Sequence, residues 1–130
     1  MDTEHQSEIE YYTSENLKGL PFSAAVRAGN MLYLSGQLGI DRSGKLVAGG
    51  IAAETRQAME NIRAVLEEHG SSLNYVVKAT VMLAEMSEWS EMNKVYVTFF
   101  EKHLPARSAL GANGLALGAR VEIECIAVLK

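Results

Sequence analysis

The chain predicts an α+β fold: a single mixed sheet of five or six strands with two helices packed on one face. Three observations carry this. Residues 51–69 and about 87–104 repeat apolar side chains at helical spacing. Between them, residues 75–84 alternate with the two-residue period of a strand. The last apolar run, Val121-Glu122-Ile123-Glu124-Cys125-Ile126-Ala127-Val128, also alternates, so only one of its faces is wholly apolar. At 130 residues, 48% hydrophobic and 22% charged, the composition is that of one globular domain.

Residues 1–19 read as an acidic tail, mobile or docked at a sheet edge, and residues 20–130 as the single domain. Ile9, Tyr11 and Tyr12 suit a short edge strand. The first firm element is the β-rich run Met31–Gly36. Asp41-Arg42-Ser43-Gly44 is a turn signal, Gly44 being suited to positive φ, and Lys45–Ala48 is expected to return as the second arm of a hairpin. The helix over 51–69 places Ile51, Thr55, Ala58, Met59, Ile62, Val65 and Leu66 on one stripe. Glu54, Arg56, Glu60, Arg63, Glu67 and Glu68 lie mostly off it, and Gly70 stops it.

In strand 75–84, Val77, Ala79, Val81 and Leu83 share one face; Val76, Lys78, Thr80 and Met82 share the other. The second helix starts near Ser87 as N-cap and ends before Pro105. Its stripe, Trp89, Met92, Val95, Tyr96, Phe99 and Phe100, reads as core. Two more strands follow, at about 106–112 and 120–128.

Two helices cannot cover both faces of such a sheet. Glu122, Glu124, Ile126 and Val128 face away from them, and that face is too apolar for plain exposure and too polar for a core. The physical reading is burial against other copies of the chain, with the ionic groups gathered in a cleft.

Charge narrows the functional classes. Residues 1–20 hold five acids against one base, and the other 110 residues balance, 11 acids against 11 bases. No basic stripe marks a nucleic-acid binder. The single cysteine, Cys125, leaves no internal disulfide and fits a reducing compartment. With no leader-like h-region and no membrane-length apolar run, the expectation is a cytoplasmic protein without a membrane contact. The three histidines lack ligand spacing, so no metal site is expected.

The chemistry concentrates near the C-terminus. Pro105-Ala106-Arg107-Ser108 places an arginine at the start of a strand, and arginine is the side chain best shaped to grip a small carboxylate in a fork. Glu122 sits in an apolar strand, where a carboxylate needs compensation. Glu124 shares its face, and the pattern alone does not separate the two. Plainer readings stand beside these. Arg107 also suits an interface ion pair, and Glu122 a pair with Arg120 of a neighbour or with Arg107 itself. Ser35 suits a strand-end hydroxyl, Asn93 a bond to a nearby loop, and Cys125 a small core residue.

Several blocks, in order over residues 20–128, carry a resemblance. They include Pro21-Phe22-Ser23, Leu34-Ser35-Gly36-Gln37, Thr55-Arg56-Gln57-Ala58 with Glu60-Asn61-Ile62, Val77-Lys78-Ala79-Thr80-Val81, Met92-Asn93, Pro105-Ala106-Arg107-Ser108 and Val121-Glu122-Ile123-Glu124. With these the chain resembles the YjgF/RidA family of imine/enamine deaminases, also called the L-PSP endoribonuclease family. The resemblance implies a chorismate-mutase-like fold and a homotrimer with clefts between subunits. It implies small 2-imino or enamine acids as substrates, released as ammonia and a 2-keto acid, with no cofactor. It implies that Arg107 holds the substrate carboxylate and that Glu122 assists the attacking water. Phe22, Ser35, Asn93, Ala109 and Ala116 would bind the substrate.

The chain departs from the family pattern in having Phe22 where many members have Tyr, Ala116 where many have Pro, and a shorter stretch between Phe100 and Pro105. Two other functions stay open at this point: a non-catalytic trimer that binds small carboxylates, and an endoribonuclease or translation inhibitor.

Overall fold

The computed structural model describes residues 8–130. The first seven residues of the acidic tail lie outside the described residues. Seven strands form one mixed sheet: β1 (Ile9–Tyr12), β2 (Ala25–Ala28), β3 (Met31–Leu34), β4 (Gln37–Leu38), β5 (Val76–Leu83), β6 (Ala106–Gly111) and β7 (Val121–Val128). The spatial order is β1-β2-β3-β7-β5-β6, and β4 follows β3 along the same edge of β7. All pairings are antiparallel except β5 with β6. Two helices, α1 (Gly50–Glu68) and α2 (Trp89–Tyr96), supply the rest of one core.

The strand count exceeds the expected five or six because two short strands carry little sequence signal. Ala25–Ala28, Ala-Val-Arg-Ala, is too short for a periodic signal, yet it is the partner of β3 in a hairpin. Gly29 turns that hairpin, with φ +63° at the first central position of a two-residue loop. The expected hairpin arm Lys45–Ala48 forms a single bridge, Ile40 to Leu46. The intervening turn is as read. The Asp41 carboxylate accepts from the Ser43 N–H at 2.9 Å and the Ser43 hydroxyl at 2.6 Å, and Gly44 has φ +85°. The tail's Ile9–Tyr12 docks as the edge strand, and Tyr12 stacks on His69 at 4.0 Å between ring centroids.

Helix α1 buries Ile51, Thr55, Ala58, Met59, Ile62 and Leu66 as the stripe predicts, with Val65 half-buried. Glu54, placed off the stripe, is buried instead. Its carboxylate accepts the backbone N–H of Arg120 at 2.8 Å, which satisfies it. Close approach is possible because Gly39 lies against the Glu54 backbone; a Cβ there would stand 2.7 Å from Glu54 Cα.

Helix α2 is shorter than its stripe. Ser87 falls in a 3-10 turn, Met86–Glu88, and Glu88 takes the N-cap position. The α-helix ends at Tyr96 and tightens to 3-10 over Val97–Phe99, where the Thr98 hydroxyl donates to the Val95 carbonyl at 2.6 Å.

In β5 a bulge shifts the register between Val76 and Lys78. One extra residue exchanges the faces at that end, so Val76 is buried and Val77 exposed; from Ala79 on the predicted face holds. In β7, Val121, Ile123, Cys125 and Ala127 pack into the core. The opposite face of the sheet stays open, with Tyr33 and Leu110 exposed and Met82, Glu122, Ile126 and Val128 half-buried.

Candidate active site

Arg107 lies on the edge strand β6 in register with Ala79 of β5, which is in register with Cys125 of β7. Paired residues point to one face, so Arg107 points to the helix side. There it meets three residues of α2 at positions i, i+4 and i+7. Its Nη1 donates to Asn93 Oδ1 at 2.7 Å. Its guanidinium carbon stands 5.8 Å from the Trp89 ring centroid and 4.9 Å from that of Tyr96. No carboxylate among the described residues forms an ion pair with Arg107. A positive fork is thus held by a neutral amide and two rings, with no carboxylate to balance it among the described residues. Ala109, two residues on, shares that face and is half-buried against the core.

Tyr96 is buried, and its hydroxyl has no partner among the described residues. Burial pushes its pKa up to about 12, partly opposed by the Arg107 charge. It therefore stays a neutral phenol beside the cation.

Glu122 lies on the other face. It is in register with Met82 and Leu38, and its side chain lies over Gly36, where a Cβ would stand 2.9 Å from its Cδ. The register between β3 and β4 slips by one residue across Ser35-Gly36, which bends that edge around the carboxylate. Burial raises the Glu122 pKa above the ordinary carboxylate value, and the charge of Glu124 adds to this. Ser35 donates to the Ser23 carbonyl at 2.6 Å and so pins the segment bearing Phe22 to this bend. Phe22 is half exposed. Ala116 is exposed, in the 3-10 turn Ala116–Gly118 that leads into β7.

The predicted residues therefore separate into two groups within one chain. Arg107, Asn93 and Ala109 gather on the helix face. Glu122, Ser35 and the Phe22 segment gather at the bend on the other side. Two strand spacings and three residues of rise put the Arg107 and Glu122 Cα atoms roughly 14 Å apart, with side chains on opposite faces. Direct pairing of the two inside one chain is thereby ruled out.

The plainer readings resolve too. Arg120 pairs with Glu88 of its own chain through two contacts of 3.0 Å from Nε. Cys125 is buried, and burial lifts its thiol to about 12, so it is an inert core residue. Trp89 is the residue that sequence reasoning misplaced: the stripe assigned it to the core, but it is 42% exposed and stands at Arg107. The available signal was an asparagine set between two aromatics at i, i+4 and i+7. Gln57 and Asn61 are structural. Asn61 accepts from Gln57 and donates to the Leu38 and Ile40 carbonyls at 3.1 and 3.0 Å, holding the loop behind β4.

Comparison with known proteins agrees with this architecture. The 2-iminobutanoate/2-iminopropanoate deaminase of Mus musculus is 46% identical over 109 residues, which is 83% of this chain and 81% of that protein. The protein of the same name from Bos taurus is 48% identical over 109 residues, 83% of this chain and 80% of that protein. The crystal structure of RidA from the Antarctic bacterium Psychrobacter sp. PAMC 21119 superposes with a TM-score of 0.82 at 38% identity, covering 92% of this chain and 94% of that one. The profile of the family described as Endoribonuclease L-PSP matches residues 15–129, a span holding both residue groups, and the chain belongs to that family, the YjgF/RidA proteins.

Proposed function

We propose that the protein is a hydrolytic deaminase of small 2-imino and enamine acids, working as a homotrimer with its sites between subunits. The observation that carries this is the Arg107 fork, held by Asn93 and two rings with no carboxylate partner among the described residues. The relatives named as imine deaminases support the reaction class. The open sheet face supports assembly, and assembly would set Glu122 of one copy opposite Arg107 of the next.

In this reading Arg107 takes both oxygens of the substrate carboxylate and so fixes the C=N carbon. Water adds to that carbon, and Glu122, ionised, accepts the water's proton. Nitrogen takes that proton back to give the neutral carbinolamine; the carbinolamine's hydroxyl proton then passes through Glu122 to nitrogen as the C–N bond breaks, so ammonia leaves and a 2-keto acid remains. A raised pKa suits a carboxylate that must accept a proton and return it. No covalent intermediate is needed. The ligands are small acids and not nucleic acid.

An amino-acid oxidase generating 2-imino acids in the presence of semicarbazide tests the reading. Wild type is expected to lower the yield of trapped imine, and Arg107→Ala to lose at least about tenfold in kcat/KM. Unchanged trapping by wild type across small, branched and aromatic imines would defeat the proposal.

A further inference from the structure

We propose that Trp89 is the positioning and specificity residue for carboxylates bound at Arg107. The inference rests on the carboxylate-binding half of the reading above and not on turnover. Trp89 and Tyr96 are seven residues apart on α2, about 10 Å along its axis. The Arg107 guanidinium carbon lies within 5.8 Å of both ring centroids. Asn93, between them, takes one guanidinium N–H. Three residues of one helix face thus fix the guanidinium's position and orientation, leaving the rest of its donors for a carboxylate.

The two rings differ in what they offer. Tyr96 is buried, a fixed wall. Trp89 is 42% exposed, so its indole borders the guanidinium and presents surface to whatever the guanidinium holds. A carboxylate entering the fork brings its neighbouring carbon against that surface. A flat carbon, as in a 2-oxo or 2-imino acid, lies against an indole better than a tetrahedral one does.

Trp89 is itself held in place through the residue that precedes it. The Glu54 carboxylate accepts from the Arg120 N–H, Arg120 pairs with Glu88, and Glu88 directly precedes Trp89. The start of α2 is therefore tied to the start of β7.

Because Trp89 is the sole tryptophan of the chain, its own emission reports the site. Titration of the wild-type protein with 2-oxobutanoate is expected to change tryptophan emission saturably, and Arg107→Lys to weaken that transition about tenfold. By calorimetry, 2-oxobutanoate should bind Trp89→Ala about three- to tenfold more weakly than wild type and Trp89→Phe within about threefold of it. 2-Hydroxybutanoate, tetrahedral at that carbon, should lose less affinity than 2-oxobutanoate on Trp89→Ala. In imine hydrolysis, Trp89→Ala should raise KM with kcat within about threefold, and Trp89→Phe should restore KM.

Calorimetric binding of 2-oxobutanoate with silent tryptophan emission would overturn the proposal. So would equal affinity in wild type and Trp89→Ala, or no binding to wild type at millimolar 2-oxobutanoate. A saturable, Arg107-dependent emission change with no imine hydrolysis would support Trp89's role while defeating the deaminase. Hydrolysis with an unchanged KM in Trp89→Ala would do the reverse.

Discussion

Glu122 and Arg107 are two charged residues given opposite environments by one sheet. The pH dependence belongs to Glu122. Its folded pKa is raised, chiefly by burial. The folded state therefore binds the proton more tightly than the unfolded chain does. Stability from that proton is fully present below the unfolded pKa, about 4, and is lost as pH rises through the higher folded value. Glu122→Gln keeps the shape and removes the titration. It is expected to unfold at higher denaturant than wild type near neutrality, and the difference should close at about pH 4. A constant difference across that range would place the effect elsewhere. In turnover, the wild-type kcat/KM should rise with pH through the same raised value, since the ionised form accepts the proton, and Glu122→Gln should abolish the rise. Both residues were legible in the sequence because charge inside apolar alternation is conspicuous. Trp89 was not, because an aromatic on a helical stripe reads as core whether it meets the sheet or a guanidinium.

At the scale of elements, the legible parts were those with long periodic signals. Helix α1, the β7 alternation and the Asp41–Gly44 turn follow from spacing and turn chemistry. The bulge at Val76–Lys78 and the bend at Ser35-Gly36 depend on pairing with β7, far along the chain, which no local window contains. Two glycines show how backbone approach then divides fold from site. At Gly39 a Cβ would meet Glu54 backbone atoms, Cα and O, each at 2.7 Å, and α1 would have to move. Gly39→Ala is expected to cost about 1–3 kcal/mol in denaturant unfolding. At Gly36 the three atoms nearest a Cβ all belong to the Glu122 side chain, whose carboxylate can swing aside. Gly36→Ala should therefore stay within about 1 kcal/mol of wild-type stability while losing at least about tenfold in kcat. Similar activity losses without the stability contrast would mean that the bend at Ser35-Gly36 does not position the carboxylate.

The whole molecule presents both residue groups at its surface, on opposite faces of one sheet. Helices cover the Arg107 face but leave that residue at the β6 edge; the other face, around Glu122, is left with Tyr33 and Leu110 exposed beside half-buried Met82 and Ile126. If, as proposed, a closed ring of copies buries that face and sets Arg107 of one chain opposite Glu122 of the next, the same heterologous contact repeats at every interface. Combination of two disabled proteins checks this directly. Arg107→Ala and Glu122→Gln should each be nearly inactive alone. Unfolded together in equal amounts and refolded, they should recover activity, because a site needs only an intact Arg107 from one copy and an intact Glu122 from its neighbour. Random mixing of two kinds of subunit gives that combination at about one site in four, so recovery to about a quarter of wild-type activity is expected. Wild type refolded in parallel fixes the full scale. No recovery, when light scattering shows that mixed assemblies have formed, would place both residues' roles within one chain, against the geometry of its sheet.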